Sequence, residues 1–382
     1  MDMIADGEGV NVHVYPTALL NESRILKITK TIASRNLFKR IIIVGKWEVG
    51  LETTETVADN IEIRRVVPEF CKIPLLSKQV FKIFCWYIRT LVLMVKLNPR
   101  CINAHSLPVL PLCVFGKWLT SAKLVYDTHE LETEVIRSKG LFRLVYNAVE
   151  YMFIRFCDVI SVVNEEIADH YRSKCPKKHV FVVQNAPYRF TSSDTVREPV
   201  FRNTFKIPEN SRIFLYQGLI SKGRGIEIIA STFEDEPRYH VVFMGYGPLV
   251  DFVKERAAIF ENIHYHEAVL PTDIVRYTRS ADVGLALIEN ACMSYYYSLP
   301  NKLFEYLSCN IPVIASNFPT MRRLVEEVNG GWLVEPTKAG LVSALSKTQN
   351  KVINQDIISR KYCWEAQEHT LVDEYEALFP EK

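Results

Sequence analysis

Short β-branched runs alternate with helix-length amphipathic segments in two series, separated by a polar, proline-bearing stretch. That pattern predicts an α/β protein of two Rossmann-like, doubly wound parallel-sheet domains. The length of 382 residues agrees, at about 150 residues per domain. Hydrophobic residues make up 48% and charged residues 24%, which excludes a disordered tail protein, a collagen-like fibre and a low-complexity scaffold.

In the first series, residues 12–15, 41–44, 61–67, 101–104, 123–127, 159–163 and 180–183 read as strands. They are rich in Val and Ile and too short for helices. Apolar spacing places helices between them at 24–34, 77–97, 107–119, 141–156 and 165–172. Residues 188–208 are polar and aperiodic, so 191–207 reads as a linker between domains at 1–190 and 208–356. The second series predicts strands at 213–217, 240–244, 263–265, 283–286, 313–315 and 331–334. Its helices fall at 225–232, 249–258, 271–280, 302–308 and 320–327, and a closing helical stretch spans 357–378. Ligands bind beyond the carboxyl ends of strands in such sheets, so chemistry belongs to residues that follow strands.

The net charge is +2, but it is unevenly spread. Residues 1–190 hold 26 Lys and Arg against 19 Asp and Glu, and no acid lies between Glu69 and Asp127. A basic surface of this kind suits phosphates or lipid headgroups. The 77–97 segment joins Lys78, Lys82 and Arg89 to Phe81, Phe84, Trp86 and Tyr87. It reads either as an interfacial helix on an anionic membrane or as a core helix with snorkelling lysines; 141–156 is a weaker candidate. The nine cysteines are scattered, as in a reducing compartment, and no stretch reads as a signal peptide or a spanning helix. Cytoplasmic residence, with peripheral membrane contact, is the expectation. HExxH, GxSxG and close His/Cys sets are missing, and so is basic–aromatic interleaving in the C-terminal half, so neither a metal nor nucleic acid is expected.

Gln217-Gly218-Leu219-Ile220-Ser221-Lys222-Gly223-Arg224-Gly225 follows a strand and opens a helix. Glycines there admit a close ligand, and Lys222 and Arg224 suit a diphosphate; a solvated basic turn is the alternative. Met244-Gly245-Tyr246-Gly247-Pro248 is a second such turn. Glu305, inside the helix opened by Leu299-Pro300-Asn301, suits a vicinal diol or simply the helix dipole. His129 and His105 each follow a strand, where a histidine serves proton transfer, hydroxyl binding or capping.

Together these segments resemble the two-domain GT-B glycosyltransferases of family 4. The resemblance rests on Tyr126-Asp127-Thr128-His129-Glu130-Leu131, Asn103-Ala104-His105-Ser106-Leu107-Pro108, Gln217-Gly218 with Arg224-Gly225, and Leu299-Pro300-Asn301-Lys302-Leu303-Phe304-Glu305-Tyr306-Leu307. It implies a cleft between the domains and a closing segment, 357–382, that returns to the first domain. It implies a nucleoside diphosphate sugar of the UDP or GDP type as donor, a lipid-linked glycan acceptor and retention of configuration, in cell-surface polysaccharide synthesis. Gly218, Arg224 and Lys222 would hold the diphosphate, Glu305 the ribose, and His129 the donor sugar. Gly245, Ser298, Leu299, Asn301 and Lys302 complete the implied donor site. Three positions depart from the family pattern: Tyr297 replaces the usual glutamate, Leu219 the usual arginine, and Tyr15-Pro16-Thr17 a glycine-rich turn. A nucleotide-sugar epimerase of the same fold and a non-catalytic sugar-nucleotide-binding partner protein remain alternatives.

Overall fold

A computed structural model describes residues 9–20, 22–68, 78–135, 140–189, 197–348 and 351–380. The chain divides into two compact units, Met1–Gln184 with Glu368–Lys382, and Asn185–Gln367.

The first unit runs β1 (Val10–Val14), α1 (Ser23–Ser34), β2 (Arg40–Lys46), β3 (Thr54–Ala58), β4 (Ile61–Val66), α2 (Lys78–Leu97) and β5 (Cys101–Ala104). Then come α3 (Leu110–Thr120), β6 (Lys123–Asp127), α4 (Gly140–Ile154), β7 (Val159–Val162), α5 (Glu165–Lys174) and β8 (His179–Val182). The sheet order is β3-β4-β2-β1-β5-β6-β7-β8. All its pairings are parallel except β3 with β4. Ile41, Ile42, Ile43 and Val44 are all buried, the continuous apolar run that a sheet covered on both faces requires. Strand β3 escapes the sequence because Thr54, Glu55, Thr56 and Ala58 are exposed, which removes any apolar alternation. The expected helix at 107–119 is divided, since Pro108 and Pro111 turn Leu107–Val109 into a separate 3-10 turn. Chain order steps outward from β1 to β2 and returns through α2 to β5, so the topological switch falls at β1 and β5. The crossovers through α2, α3 and α4 advance in one direction and lie on one face of the sheet, where α3 packs between the other two.

The second unit runs α6 (Val200–Phe205), β9 (Arg212–Leu219), α7 (Ile226–Asp235), β10 (Tyr239–Tyr246), α8 (Val250–Ile259), β11 (Ile263–Glu267), α9 (Ile274–Arg279) and β12 (Val283–Ala286). It continues with α10 (Met293–Tyr296), α11 (Asn301–Ser308), β13 (Val313–Ser316), α12 (Pro319–Glu327), β14 (Gly331–Val334), α13 (Lys338–Leu345), α14 (Gln355–Lys361) and α15 (Trp364–Leu378). Its sheet is wholly parallel, ordered β11-β10-β9-β12-β13-β14, with the switch at β9 and β12.

Two expectations need correction. Of the linker 191–207, residues 191–196 lie outside the described residues, and the remainder belongs to the second unit: Phe201 of α6 is fully buried there, against Tyr277. The single helix 357–378 is two helices, because buried Tyr362, Cys363 and Trp364 anchor the chain, with the Trp364 amide donating to Pro187 O at 2.7 Å. Helix α15 then passes into the first unit, where Tyr375 is buried and Phe379 meets Phe38 edge to face.

Candidate functional site

In the second unit, the predicted donor residues gather at the carboxyl end of β9. Gly218 takes φ 108° near the strand's end, a conformation that side chains resist. Opposite it in register, Gly245 is compulsory, because a Cβ there would lie 1.9 Å from Gly218 O. Gly225 takes φ 71° and passes so close to Leu287 that a Cβ would meet it at 2.7 Å. Its amide donates to Glu289 Oε1 at 3.1 Å, so a carboxylate already caps the start of α7.

Two cations converge here. Lys302, second residue of α11, is buried, and its Nζ has no hydrogen-bond partner among the described residues. The ammonium lies 3.4 Å from the Tyr216 ring centroid, and a Cβ on Gly218 would be only 3.8 Å from Lys302 Cε. Burial, then the nearby Arg224, hold Lys302 well below the usual lysine range, against the attraction of Glu305. Arg224 stands over the Tyr295 ring at 5.7 Å, and its buried Nε also has no hydrogen-bond partner among the described residues. Native structures rarely leave such groups unsatisfied, and two cations side by side favour an anion. Glu305, one turn further along α11, accepts from Gln217 Nε2, and Gln217 Oε1 accepts from Thr278 Oγ1 at 2.8 Å. A buried amide clamped at both ends thus fixes the carboxylate.

The remaining predicted residues spread around this centre. Lys222 is exposed, whereas Lys302 is buried beside Arg224 and Gly218. Asn301 Oδ1 accepts from Asn185 at 3.1 Å, Ser298 Oγ donates to Tyr295 O at 2.8 Å, and Leu299 packs on the core. These three shape the entry to α11.

In the first unit, His13, His105, Asp127 and His129 meet at the carboxyl ends of β1, β5 and β6, where the switch point falls. His105 Nδ1 and His129 Nε2 both contact Asp127 Oδ2, at 2.8 and 3.0 Å, and His13 Nδ1 lies 2.8 Å from His105 Nε2. Arg24, from the first turn of α1, grips Asp127 through Nη2 at 2.6 Å and Nε at 3.1 Å. Burial alone would raise the Asp127 carboxyl, but Arg24 and the two imidazoles hold it well below the usual range. Burial also keeps His13 and His105 below the ordinary histidine value. Tyr15 packs on the His129 ring at 5.6 Å. Beside His105, Ser106 holds φ 143°, strain of ~1–3 kcal/mol that tends to collect at functional sites. His105, Asp127 and His129 are close enough to be considered as metal ligands. Arg24 already neutralises the one carboxylate and occupies both its oxygens, which makes the trio a poor cation cradle.

Sequence reasoning gave no role to His13, Arg24, Gln217, Glu289 or Tyr295. The available signals were a histidine inside the apolar strand Val10–Val14 and an arginine whose side chain the helix α1 buries.

Residues 198–369 match the family described as Glycosyl transferases group 1, and residues 42–186 match Glycosyltransferase Family 4. Chitobiosyldiphosphodolichol beta-mannosyltransferase of Kluyveromyces lactis is 24% identical over 263 residues, 60% of this chain; the match spans 58% of that relative's length. Sucrose-phosphate synthase of Thermosynechococcus elongatus superposes with a TM-score of 0.75 at 14% identity, covering 97% of this chain and 99% of its own. HepE of Anabaena, in complex with UDP and glucose, reaches 0.70 at 14% identity, covering 97% and 100%. The two matched segments take up most of the chain, one in each unit, on a GT-B framework. The chain belongs to the GT-B glycosyltransferases of the group 1, family 4 kind.

Proposed function

We propose that this protein transfers a sugar from a nucleoside diphosphate sugar, of the UDP or GDP type, to a lipid-linked glycan acceptor in cell-surface polysaccharide synthesis. The reading includes retention of anomeric configuration and requires no metal ion. The observation that carries it is Lys302 Nζ, buried beside Arg224 Nε, both without a hydrogen-bond partner among the described residues. Charge accumulates on the diphosphate as the sugar leaves, and preorganised cations in a dry site stabilise that charge where it develops. Glu305, fixed by Gln217, suits the ribose diol. His129 is assigned to a sugar hydroxyl. HepE, solved with UDP and glucose, supports the donor class, and the yeast relative's dolichol-diphosphate name supports a lipid-linked acceptor.

Peripheral contact with an anionic membrane through 77–97 belongs to the same proposal. Among the described residues no helix is long and apolar enough to cross a membrane, and Phe84, Ile88 and Val92 of α2 face solvent.

A mass-spectrometric screen of nucleotide sugars against lipid extracts tests the reaction. Arg224→Ala should lower kcat by about a hundredfold or more, and Glu305→Ala should raise the donor KM. Full donor turnover in both variants would sink the site assignment. Interconversion of the donor sugar without acceptor would select the epimerase. An inverted product would overturn retention.

A further inference from the structure

In the first unit a chain of hydrogen bonds runs from α15 to His129, and its donors and acceptors admit one assignment of protons. The Tyr375 hydroxyl donates to Asn103 Oδ1. That turns Asn103 Nδ2 toward Asn11 Oδ1 at 2.5 Å and His13 Nε2 at 3.3 Å. An amide nitrogen only donates, so His13 Nε2 accepts and its proton sits on Nδ1. His13 Nδ1 then donates to His105 Nε2 at 2.8 Å, which places the His105 proton on Nδ1, directed at Asp127 Oδ2 at 2.8 Å. Asp127, paired with Arg24, only accepts. His129 therefore carries its proton on Nε2, 3.0 Å from the same oxygen. Its other nitrogen, Nδ1, has no hydrogen-bond partner among the described residues.

We propose that Tyr375, Asn103, His13, His105 and Asp127 are positioning residues that lock His129 in its Nε2–H tautomer and present Nδ1 as a hydrogen-bond acceptor to a hydroxyl of the bound sugar. The purpose rests on the sugar-transfer reading above; the proton assignment does not. The placement supports the proposal in two ways. His13 and Asn103 face each other in register in the sheet interior, where apolar side chains would ordinarily sit. The side chains of Tyr375, Asn103, His13, His105 and Asp127 pair in one direction only, and at the branch Asn11 Nδ2 is left without a partner among the described residues. Burial keeps His13 and His105 neutral, each therefore with a single proton to place, while Asp127 stays ionised.

The test is long-range proton–nitrogen correlation spectroscopy on the full chain with nitrogen-15-labelled histidine. Protons on Nδ1 of His13, Nδ1 of His105 and Nε2 of His129 are expected. A His129 proton on Nδ1, or exchange between tautomers, would overturn the proposal. Asp127→Asn turns one accepting atom into a donor, so His129 should move toward the Nδ1–H form. Transfer with that variant should then fall at least about tenfold in kcat while donor KM stays within about twofold. His105→Gln, whose amide can still donate to Asp127, should retain more kcat than His105→Leu. Equal activity and an unchanged His129 spectrum in both His105 variants would refute the chain. If His105→Leu fails to fold, the wild-type spectrum decides alone. Absence of transfer with every nucleotide sugar would sink the transferase reading, and the tautomers would still be read.

Discussion

Lys302 sets a protonation problem that a ligand would resolve. Burial, then Arg224, hold its Nζ well below the usual lysine range. An anion placed against Nζ favours the charged form, so nucleotide binding should take up a proton. Calorimetric titrations of UDP or GDP at mildly alkaline pH, in buffers of different ionisation enthalpy, read this uptake directly. Lys302→Met should abolish it and weaken nucleotide binding by about ten- to a hundredfold, the loss of ~1.4–2.8 kcal/mol typical of a charge-assisted contact. Unchanged proton uptake in Lys302→Met would show that another group titrates. The motif Leu299-Pro300-Asn301-Lys302 was legible as a helix entry, and Glu305 as its carboxylate. Which lysine stands beside Arg224 was not legible, since Lys302 of α11 lies over Tyr216 of β9, far away in sequence. His13 was hidden for the same reason: its significance depends on β5 and β6, brought alongside only by the fold.

Helices α2, α3 and α4 were readable from apolar period alone, but which faces they leave uncovered was not. The weight of exposed apolar surface falls on α4 and α3, with Leu141 75%, Leu144 67% and Trp118 52% exposed, rather than on 77–97 alone. Trp118 meets Phe156 at 5.0 Å and Phe115 meets Phe153 at 6.1 Å, which joins the two helices into one aromatic surface. Lys82, Arg89 and Lys96 of the neighbouring α2 are exposed, and the side chains of Lys78 and of residues 69–77 lie outside the described residues. Sedimentation with vesicles containing anionic phosphatidylglycerol should therefore respond more to Leu144→Glu with Leu141→Glu than to charge reversal at Lys82 and Arg89. The basic residues should matter mainly at low salt, because exposed charges are screened within about 10 Å at 0.1 M. Binding indifferent to both pairs of changes would remove the membrane proposal. Strand β3 and helix α6 were illegible for opposite reasons. The first is nearly all exposed, and the second owes its burial to one residue, Phe201, in a polar stretch.

The alternation of strands and helices behind the two sheets was the most legible feature, because short β-branched runs recur between helix-length amphipathic segments. Their buried charges were not, and these govern how the whole chain responds to acid. His13, His105 and His264 all titrate below the ordinary histidine value, His264 at about 4, chiefly through burial. As pH falls below 6.5, the unfolded chain protonates these histidines while the folded chain does not, so unfolding takes up protons and stability declines. Each fully buried one contributes up to about 1.4 kcal/mol per pH unit across its window. Asp127 acts lower down: its depressed value stabilises the fold above the ordinary carboxylate value of 3.8 and is lost only as pH falls toward the folded one. Calorimetric scans should therefore show the unfolding midpoint declining already between pH 6.5 and 5, before carboxylates protonate, and more steeply below pH 4. His13→Leu with His105→Leu should flatten the first part of that curve and leave the second. Removing the imidazoles also takes one hydrogen-bonded link from Asp127 and the bond between the two rings, so the double variant should be less stable than wild type at pH 7 even as its pH dependence shrinks. A midpoint that stays level from pH 7 to 5 in the wild-type chain would mean that the buried imidazoles accept protons inside the fold, and it would contradict the neutral tautomers assigned to them.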